Sequence, residues 1–202
     1  LYPDDSTYSG RELRLRQEYF FVAASLQDLL RRHLKQRGSL DSLPEYTSIQ
    51  LNDTHPAIAV AELMRLLVDV HSYEWQHAWR LTTATLSYTN HTLLPEALER
   101  WSTWLMGRVL PRHMQIVYAI NANTLLFARK EKKMADQQIR SISLIDEGGE
   151  RRFLVAPGLV GAGLKARGGD RVQARGHRDG SLVSCIVLLN GRSLRSRCLS
   201  TR

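Results

Sequence analysis

The pattern of apolar positions predicts a long helix near the start of the chain. Mostly apolar side chains recur there at spacings of three and four residues, which places them on one face of an α-helix. The positions in this stripe are Leu13, Tyr19, Phe20, Ala23, Leu26, Gln27 and Leu30. The sequence therefore predicts a helix over about residues 11–35, with the stripe packed against a core.

Two strand-turn-helix units follow this helix. Residues 46–51 are alternating and β-branched, which is typical of a short strand, and good helix formers follow Pro56 over residues 57–68. The second unit predicts a helix over 75–86, a strand at 86–89 and a helix over 94–99. This alternation predicts an α/β fold with parallel strands and flanking helices.

Residues 105–127 predict one more helix. Its apolar positions fall at helical spacing, so we expect one face to point toward the core. The expected core-facing residues are Leu110, Met114, Val117, Tyr118 and Ile120.

Charge and glycine content divide the chain near residue 150. Residues 1–150 hold 17 Lys+Arg against 18 Asp+Glu, a net charge of −1, whereas residues 151–202 hold 11 against 2, a net of +9. Eight of the 13 glycines also lie after residue 150. We therefore predict a domain over 1–150 and a basic Gly/Arg-rich tail over 151–202.

Two explanations of the tail are open. Aperiodic Arg/Gly/Ala-rich sequence is typical of a GC-rich gene translated in a shifted frame, which suggests a frameshift or a wrongly terminated gene model near residue 151. The alternative is a nucleic-acid-binding tail. Its arginines could contact phosphates, but Phe153 is its only aromatic residue, so base stacking is not indicated and nucleic acid is the less favoured partner.

Composition also excludes several classes of protein. No run of about 18 apolar residues exists, so a membrane span is not expected, and the first five residues are too acidic for a secretory signal. Cys185 and Cys198 are too few for a disulfide framework or a zinc site. These features predict a cytoplasmic protein.

Polar turns follow both predicted strands and are the first candidates for a site. Residues 52–56 contain Asp53 and His55, and His91 lies in the turn over 90–92. Parallel sheets bind ligands at this edge, and these side chains suit a polyhydroxyl ligand. Alternatively, Asp53, Thr54 and Asn90 cap helices or shape turns. A metal site of Asp53, His55 and His91 is less favoured, because no helix-spaced histidine pair accompanies it.

Four longer motifs resemble one family. They are Arg11-Glu12-Leu13-Arg14-Leu15-Arg16-Gln17-Glu18-Tyr19-Phe20, Gln50-Leu51-Asn52-Asp53-Thr54-His55-Pro56, Leu110-Pro111-Arg112-His113-Met114-Gln115-Ile116, and the run over 88–101 that begins Tyr88-Thr89-Asn90-His91-Thr92. In this order they closely resemble α-glucan (glycogen/maltodextrin) phosphorylases. The resemblance is strong over about 1–128 and weakens to about 152, and it implies a fragment of the N-terminal half that begins within a domain.

The resemblance implies a fold and an activity. The expected fold is part of a doubly wound glycosyltransferase-B-type domain. The expected enzyme uses pyridoxal phosphate and inorganic phosphate to release glucose 1-phosphate from α-1,4-glucans with retention of configuration, as a homodimer in a family with allosteric members. The cofactor lysine and the phosphate-binding residues belong to the later half in this family. We therefore expect no catalytic, cofactor-binding or metal-binding residue here, and an inactive isolated chain.

The resemblance also implies roles for five residues. His91 matches the histidine that contacts the 6-hydroxyl of the bound glucosyl unit, while Asp53, His55 and Glu99 match polar residues that line the same pocket. Asp5 matches a position on the mobile loop that gates the site, although Ser6 stands beside it where the family usually has asparagine. A non-catalytic glucan-binding module is the alternative function.

Overall fold

The computed structural model describes residues 3–89, 99–147 and 151–154. The helices in this part of the chain are α1 (Tyr8–Arg37), α2 (Leu43–Tyr46), α3 (Ala59–Arg65), α4 (Trp75–Thr85), α5 (Thr103–Val109), α6 (Pro111–Lys130) and α7 (Asp136–Ser141). The strands are β1 (Ile49–Asn52), β2 (Leu86–Thr89), β3 (Arg100–Ser102), β4 (Ile145–Asp146) and β5 (Arg152–Leu154). The fold is therefore mixed α/β, as the alternating pattern predicts.

Strands β1 and β2 form a parallel pair. Ile49 lies opposite Leu86, and Asn52 lies opposite Thr89, so both strands end at the same edge. Helix α3 follows β1, and α4 packs on α3 before the chain enters β2. This confirms the predicted parallel strands and places the polar turn after β1 at that edge, while the polar turn predicted over 90–92 lies outside the described residues.

A second sheet joins residues from both sides of residue 150. Its order is β3-β5-β4, with both pairings antiparallel. Phe153 in β5 is buried in the same core as Trp101 in β3. Residues 152–154 therefore pack with the domain, although the sequence places them after the predicted boundary.

Helix α3 lies at the centre of the core. It packs against α1, α4 and α6, and its residues from Ala59 to Met64 are all buried. Ala59 and Ala61 leave room for close helix contacts, while Leu63 and Met64 fill the space between neighbours. A helix that is surrounded in this way is expected to be apolar on all sides. Among the buried residues of α3, Glu62 is the one exception.

The long helix is confirmed, but its expected buried stripe is only partly right. Thr7 caps α1 by accepting a hydrogen bond from the backbone N–H of Gly10 at 3.1 Å, and Gly38 ends it with φ of 76°. Ala23, Leu26 and Leu30 are buried as expected, whereas Leu13, Phe20 and Gln27 are exposed. The buried face is instead continued by Leu15 and Val22.

Proline accounts for two differences from the predicted elements. Pro44 lies in the first turn of α2, so Tyr46 is helical and the strand begins only at Ile49. Pro111 lacks a backbone N–H and disfavours helical backbone at Leu110, so the helix predicted over 105–127 is divided into α5 and α6.

Two further expectations were wrong. Tyr118 is exposed rather than core-facing, while Leu110, Met114, Val117 and Ile120 are buried as predicted. Glu99 is not helical but directly precedes β3, and the rest of the helix predicted over 94–99 lies outside the described residues.

Helix α3 continues into a π-helical turn over Leu66–Val70. The backbone N–H of His71 donates to the carbonyl of Leu66 at 3.0 Å, which closes the wider turn. Asp69 in this turn accepts two hydrogen bonds from Arg112 of α6, at 2.7 and 2.8 Å. The turn is thereby tied to the start of α6.

Glu62 brings a carboxylate into the centre of the core. Its side chain is fully buried, and it accepts two hydrogen bonds from Arg65, at 2.7 and 2.9 Å. His113 of α6 lies 2.6 Å from the same carboxylate, and the ring of Tyr19 packs edge-on against this histidine. Burial alone would raise the pKa of Glu62, but the hydrogen bonds from Arg65 and His113 outweigh it and lower that pKa.

We expect His113→Ala to lower the free energy of unfolding by about 3 kcal/mol, because it leaves a buried carboxylate with one partner instead of two. Urea denaturation measures this change. Arg112→Ala is the matched control, since the neighbouring Arg112–Asp69 pair is largely exposed and is worth about 1 kcal/mol or less. If the two variants lost the same free energy of unfolding, the buried Glu62 network would contribute no more to stability than an exposed ion pair.

Candidate functional site

The turn after β1 places two of the predicted residues at the edge of the parallel pair. Asp53 has a left-handed backbone with φ of 63°, a conformation that aspartate tolerates better than most residues. Asp53 and His55 are partly buried, and Thr54 is buried between them. Helix α3 has no side-chain cap, so Asp53 and Thr54 do not serve as its cap.

Arg14 of α1 gathers three acidic side chains. Its guanidinium lies 2.5 Å from Glu99, 3.1 Å from Asp5 and 3.3 Å from Glu18. The side chains of Arg14, Glu18 and Glu99 are only 16, 12 and 11% exposed, whereas Asp5 is 58% exposed. Two of the predicted residues, Asp5 and Glu99, therefore meet at one cation.

A glycine permits the approach of Asp5. The segment before α1 folds back over its first turn, and the carbonyl oxygen of Asp4 lies where a Cβ on Gly10 would stand. The carboxylate of Asp4 accepts a hydrogen bond from the backbone N–H of Ser6 at 2.9 Å, which fixes this turn. Asp5 therefore lies at the entrance of the Arg14 cluster.

The carboxyl pair beside Arg14 has unusual electrostatics. Burial, and then the neighbouring Glu99 carboxylate, raise the pKa of Glu18 to about 9. Glu18 therefore carries its proton at neutral pH. Both carboxylate oxygens of Glu99 are buried, with Arg14 2.5 Å from one of them, and the side chain of Glu99 also contributes through a hydrogen bond to the raised pKa of Glu18.

Tyr88 connects this cluster to the sheet edge. Burial, followed by the negative charges of Asp53 and Glu99, raises the pKa of Tyr88 to about 12. Its hydroxyl is buried and has no hydrogen-bond partner among the described residues. The side-chain oxygen of Gln17, one helical turn from Arg14, is in the same situation. Buried polar groups are normally paired, so these atoms are suited to a hydroxylated ligand or to water.

The structure thus brings Asp5, Asp53 and Glu99 into one electrostatic neighbourhood. The fourth described residue, His55, lies in the same turn as Asp53, and His91 lies outside the described residues. The sequence did not single out Arg14, Gln17, Glu18 and Tyr88. The spacing of Arg14 and Glu18, four residues apart on a helix, was the available signal.

A wide groove in the described structure lies elsewhere. It has a volume of about 1360 Å³ and is lined by another face of α1 together with the π-helical turn. Tyr19, Phe20 and Arg65 line this groove, but none of the five predicted site residues does. The candidate site therefore rests on its unpaired polar atoms and not on the size of a cavity.

The described ranges show neither a metal-type cluster nor a membrane-spanning helix. Over residues 3–89, 99–147 and 151–154, no group of three or more His, Cys, Asp and Glu side chains is arranged to hold a metal ion. Within those ranges, no helix combines the length and the apolar character needed to cross a membrane.

The raised pKa of Glu18 predicts a pH-dependent stability. Between its ordinary pKa, about 4.5, and its folded value, about 9, only the folded chain holds the proton, so the free energy of unfolding falls as pH rises across this range. Glu18→Gln keeps a hydrogen-bond donor without the charge and should flatten this slope. Urea titrations from about pH 5 to about pH 9 measure it. Asp28→Asn, at an exposed carboxylate on the same helix, is the control, and an unchanged slope in Glu18→Gln would contradict the assignment.

Comparisons with known proteins agree with the motifs. The family model for carbohydrate phosphorylases matches residues 1–165, which extends past the boundary predicted at residue 150. Glycogen phosphorylase of Synechocystis sp. is 53% identical over 156 residues, or 77% of this chain and 18% of that relative.

Bacterial and animal relatives give the same result. Glycogen phosphorylase of Haemophilus influenzae is 53% identical over 152 residues, covering 75% of this chain and 18% of its own length. The muscle form of glycogen phosphorylase from Ovis aries is 47% identical over 164 residues, covering 77% of this chain and 20% of its own. The chain spans about a fifth of the length of these curated relatives, and it belongs to the carbohydrate phosphorylase family.

Proposed function

We propose that this chain supplies part of the sugar-binding wall of an α-glucan phosphorylase, which releases glucose 1-phosphate from the non-reducing end of α-1,4-glucans with inorganic phosphate. The observation that carries the proposal is the buried hydroxyl of Tyr88 and the buried side-chain oxygen of Gln17, which have no hydrogen-bond partner among the described residues and lie near the buried carboxylate of Glu99. Sugar hydroxyls both donate and accept hydrogen bonds, so they can satisfy such atoms. The names of the relatives support glycogen or a related glucan as the substrate.

Each predicted residue receives a role in this proposal. His91 contacts the 6-hydroxyl of the glucosyl unit and orients its ring. Glu99 and Asp53, with His55 in the same turn, order hydroxyls or water beside the sugar, and Arg14 holds Glu99 in place. Asp5 lies at the outer side of Arg14, where its carboxylate repels phosphate as long as it covers the entrance.

Protonated Glu18 contributes to the same arrangement. Three ionised carboxylates around one guanidinium would leave a net negative charge in a mostly buried site. Because Glu18 is neutral at physiological pH, Arg14 is balanced mainly by Asp5 and Glu99. Protonation of Glu18 therefore changes the formal charge of this cluster from −2 to −1, and we infer that Glu99 then acts as an acceptor toward sugar hydroxyls.

The wider features of the enzyme are part of the same proposal. The parallel pair and its flanking helices form a portion of a doubly wound glycosyltransferase-B-type domain. The whole enzyme acts in the cytoplasm as a homodimer. Its two substrates, the glucan and inorganic phosphate, meet at a site to which this chain contributes only the sugar side, so the isolated chain does not catalyse phosphorolysis.

The described residues do not form a pyridoxal phosphate site. A lysine that holds this cofactor as a Schiff base needs a desolvated environment. The described lysines, Lys35, Lys130, Lys132 and Lys133, are all exposed. The proposal therefore places cofactor binding in the remainder of the longer enzyme, and no step of the reaction is assigned to the cofactor here.

We propose that a frameshift replaces family sequence by a different sequence within residues 155–202. The excess of arginine over acidic residues there supports this explanation, as does the fact that the family match stops at residue 165. The domain itself then extends at least through β5.

A chimeric enzyme tests the proposed function. Residues 1–154 replace the matching segment of the Synechocystis glycogen phosphorylase, and phosphorolysis of glycogen is measured as release of glucose 1-phosphate. We expect the chimera to be active. His91→Ala should then lower kcat/KM by about 10- to 100-fold, because one hydrogen bond to the sugar is lost in a desolvated site.

Histidine 77 provides the matched control for this experiment. His77 lies on the surface, 3.2 Å from Asp41, and His77→Ala should change kcat/KM by less than about twofold. A folded, cofactor-loaded chimera without activity would refute the proposed function. An active chimera in which His91→Ala has no effect would refute only the role of His91.

The coding DNA tests the explanation of the tail. We expect another forward frame, read from about codon 145 onward, to continue the family sequence toward a segment with a cofactor lysine. Sequencing of this region and translation of all three frames is sufficient. If no frame continues the family, the frameshift explanation is wrong and the non-catalytic alternative gains support.

A further inference from the structure

Two exposed aromatic rings form a surface next to the first turn of α1. Tyr8 and Trp104 are 41 and 62% exposed, and their ring centroids are 5.5 Å apart at an interplanar angle of 53°. Tyr8 is the first residue of α1, and Trp104 lies in α5. Most of the indole surface is therefore open to solvent although its position is fixed by two packed helices.

Charged side chains hold this aromatic pair in place. The guanidinium carbon of Arg108 lies 5.4 Å from both ring centroids, one helical turn after Trp104. Arg108 also pairs with Glu12, which accepts hydrogen bonds from Arg16 at 2.8 and 2.9 Å. The rings are thus bordered by a chain of charges that fixes their orientation.

Two exposed hydroxyl groups lie next to Tyr8 in the sequence. Thr7 and Ser9 flank Tyr8, and their side-chain oxygens are 3.3 Å apart and exposed. The surface therefore combines two ring faces with donors and acceptors along its edge. Apolar C–H faces of a pyranose stack on aromatic rings while its hydroxyls need polar partners, and Tyr and Trp suit such mixed surfaces.

We propose that Tyr8, Trp104 and Arg108 form a second glucan-binding surface, outside the sugar pocket, that takes two successive glucosyl units of an α-1,4-linked chain. This inference rests on the proposed function, since it assumes a glucan substrate. The inclined ring planes suit a chain that turns from one unit to the next, as α-1,4-glucan does, and they suit a flat β-1,4-linked chain less well.

A second aromatic pair on the same helix provides a contrast. Phe20 and Phe21 are 65 and 51% exposed, with ring centroids 5.6 Å apart. Neither ring carries a polar group, and no stacked arginine is found against them in the part of the chain that the structure describes. The Tyr8–Trp104 and Phe20–Phe21 pairs are similar in exposure and in ring spacing. The polar groups beside Tyr8 and Trp104 therefore distinguish the surface that is proposed to bind glucan.

Affinity electrophoresis of the full chain in gels that contain glycogen tests the proposal. We expect glycogen to slow the parent chain, and Trp104→Ala and Tyr8→Ala each to weaken binding about tenfold. Phe20→Ala should bind as the parent does. Maltoheptaose in solution should compete with the gel-bound glycogen, and cellohexaose should not.

The remaining outcomes overturn the inference. They are unchanged binding in Trp104→Ala, equal loss in Phe20→Ala, or a folded parent chain that glycogen does not slow. Loss of self-association in Trp104→Ala, measured by sedimentation, would show instead that a second copy covers the rings.

The chimeric enzyme separates this inference from the proposed function. If the chain does not fold alone, the same three variants are compared in the chimera by the same electrophoresis, and equal binding overturns the proposal. An active chimera with no effect of Trp104→Ala refutes the surface alone. An inactive, folded chimera whose glycogen binding depends on Trp104 refutes the proposed function alone.

Discussion

The contact on which the site depends is that of Arg14 with its three acidic neighbours. Asp5 comes from the segment before α1, Glu18 from the next turn of α1, and Glu99 from the residue before β3. One guanidinium can serve all three because its five N–H groups spread in a plane. Segments that are distant in sequence are joined there at the edge of the parallel strands, and the rest of the candidate site is arranged around that junction.

The pKa values of two buried glutamates, Glu18 and Glu62, shift in opposite directions. A buried group with a nearby like charge favours its neutral form, and Glu18 follows this rule. In the core, by contrast, the hydrogen bonds from Arg65 and His113 keep Glu62 ionised in spite of burial. Two buried glutamate side chains therefore differ in protonation, because the hydrogen-bond donors that face Glu18 and Glu62 differ in number and alignment.

Much of the architecture could be predicted from periodicity, and the errors have local causes. Spacing predicted α1 and the parallel pair, because these elements are long or strongly patterned. It failed at Tyr46 and at the break between α5 and α6, where proline geometry outweighs propensity. It also placed Phe20 in the core, since an apolar residue next to the buried stripe looks the same in sequence whether or not a neighbour covers it.

The candidate site was predictable only through the family motifs. The turn pattern indicated Asp53 and His55, and the resemblance added Asp5, His91 and Glu99. The role of Arg14 depends on its contact with Glu99, 85 residues along the chain, and that of Tyr88 on the charges of Asp53 and Glu99, neither of which a local pattern carries. Sequence alone can therefore indicate which side chains are suited to a sugar, whereas the protonation and pairing of those side chains require the fold.

The π-helical turn over Leu66–Val70 has a consequence for how this family region can change. Such a turn contains one residue more than an α-helical turn, so it rotates everything after it around the helix axis. Removal of a single residue there would restore a regular helix and swing Asp69 away from Arg112. Single-residue insertions and deletions, usually tolerated in loops, are thus constrained at this C-terminal end of the helix, because they would separate Asp69 from Arg112.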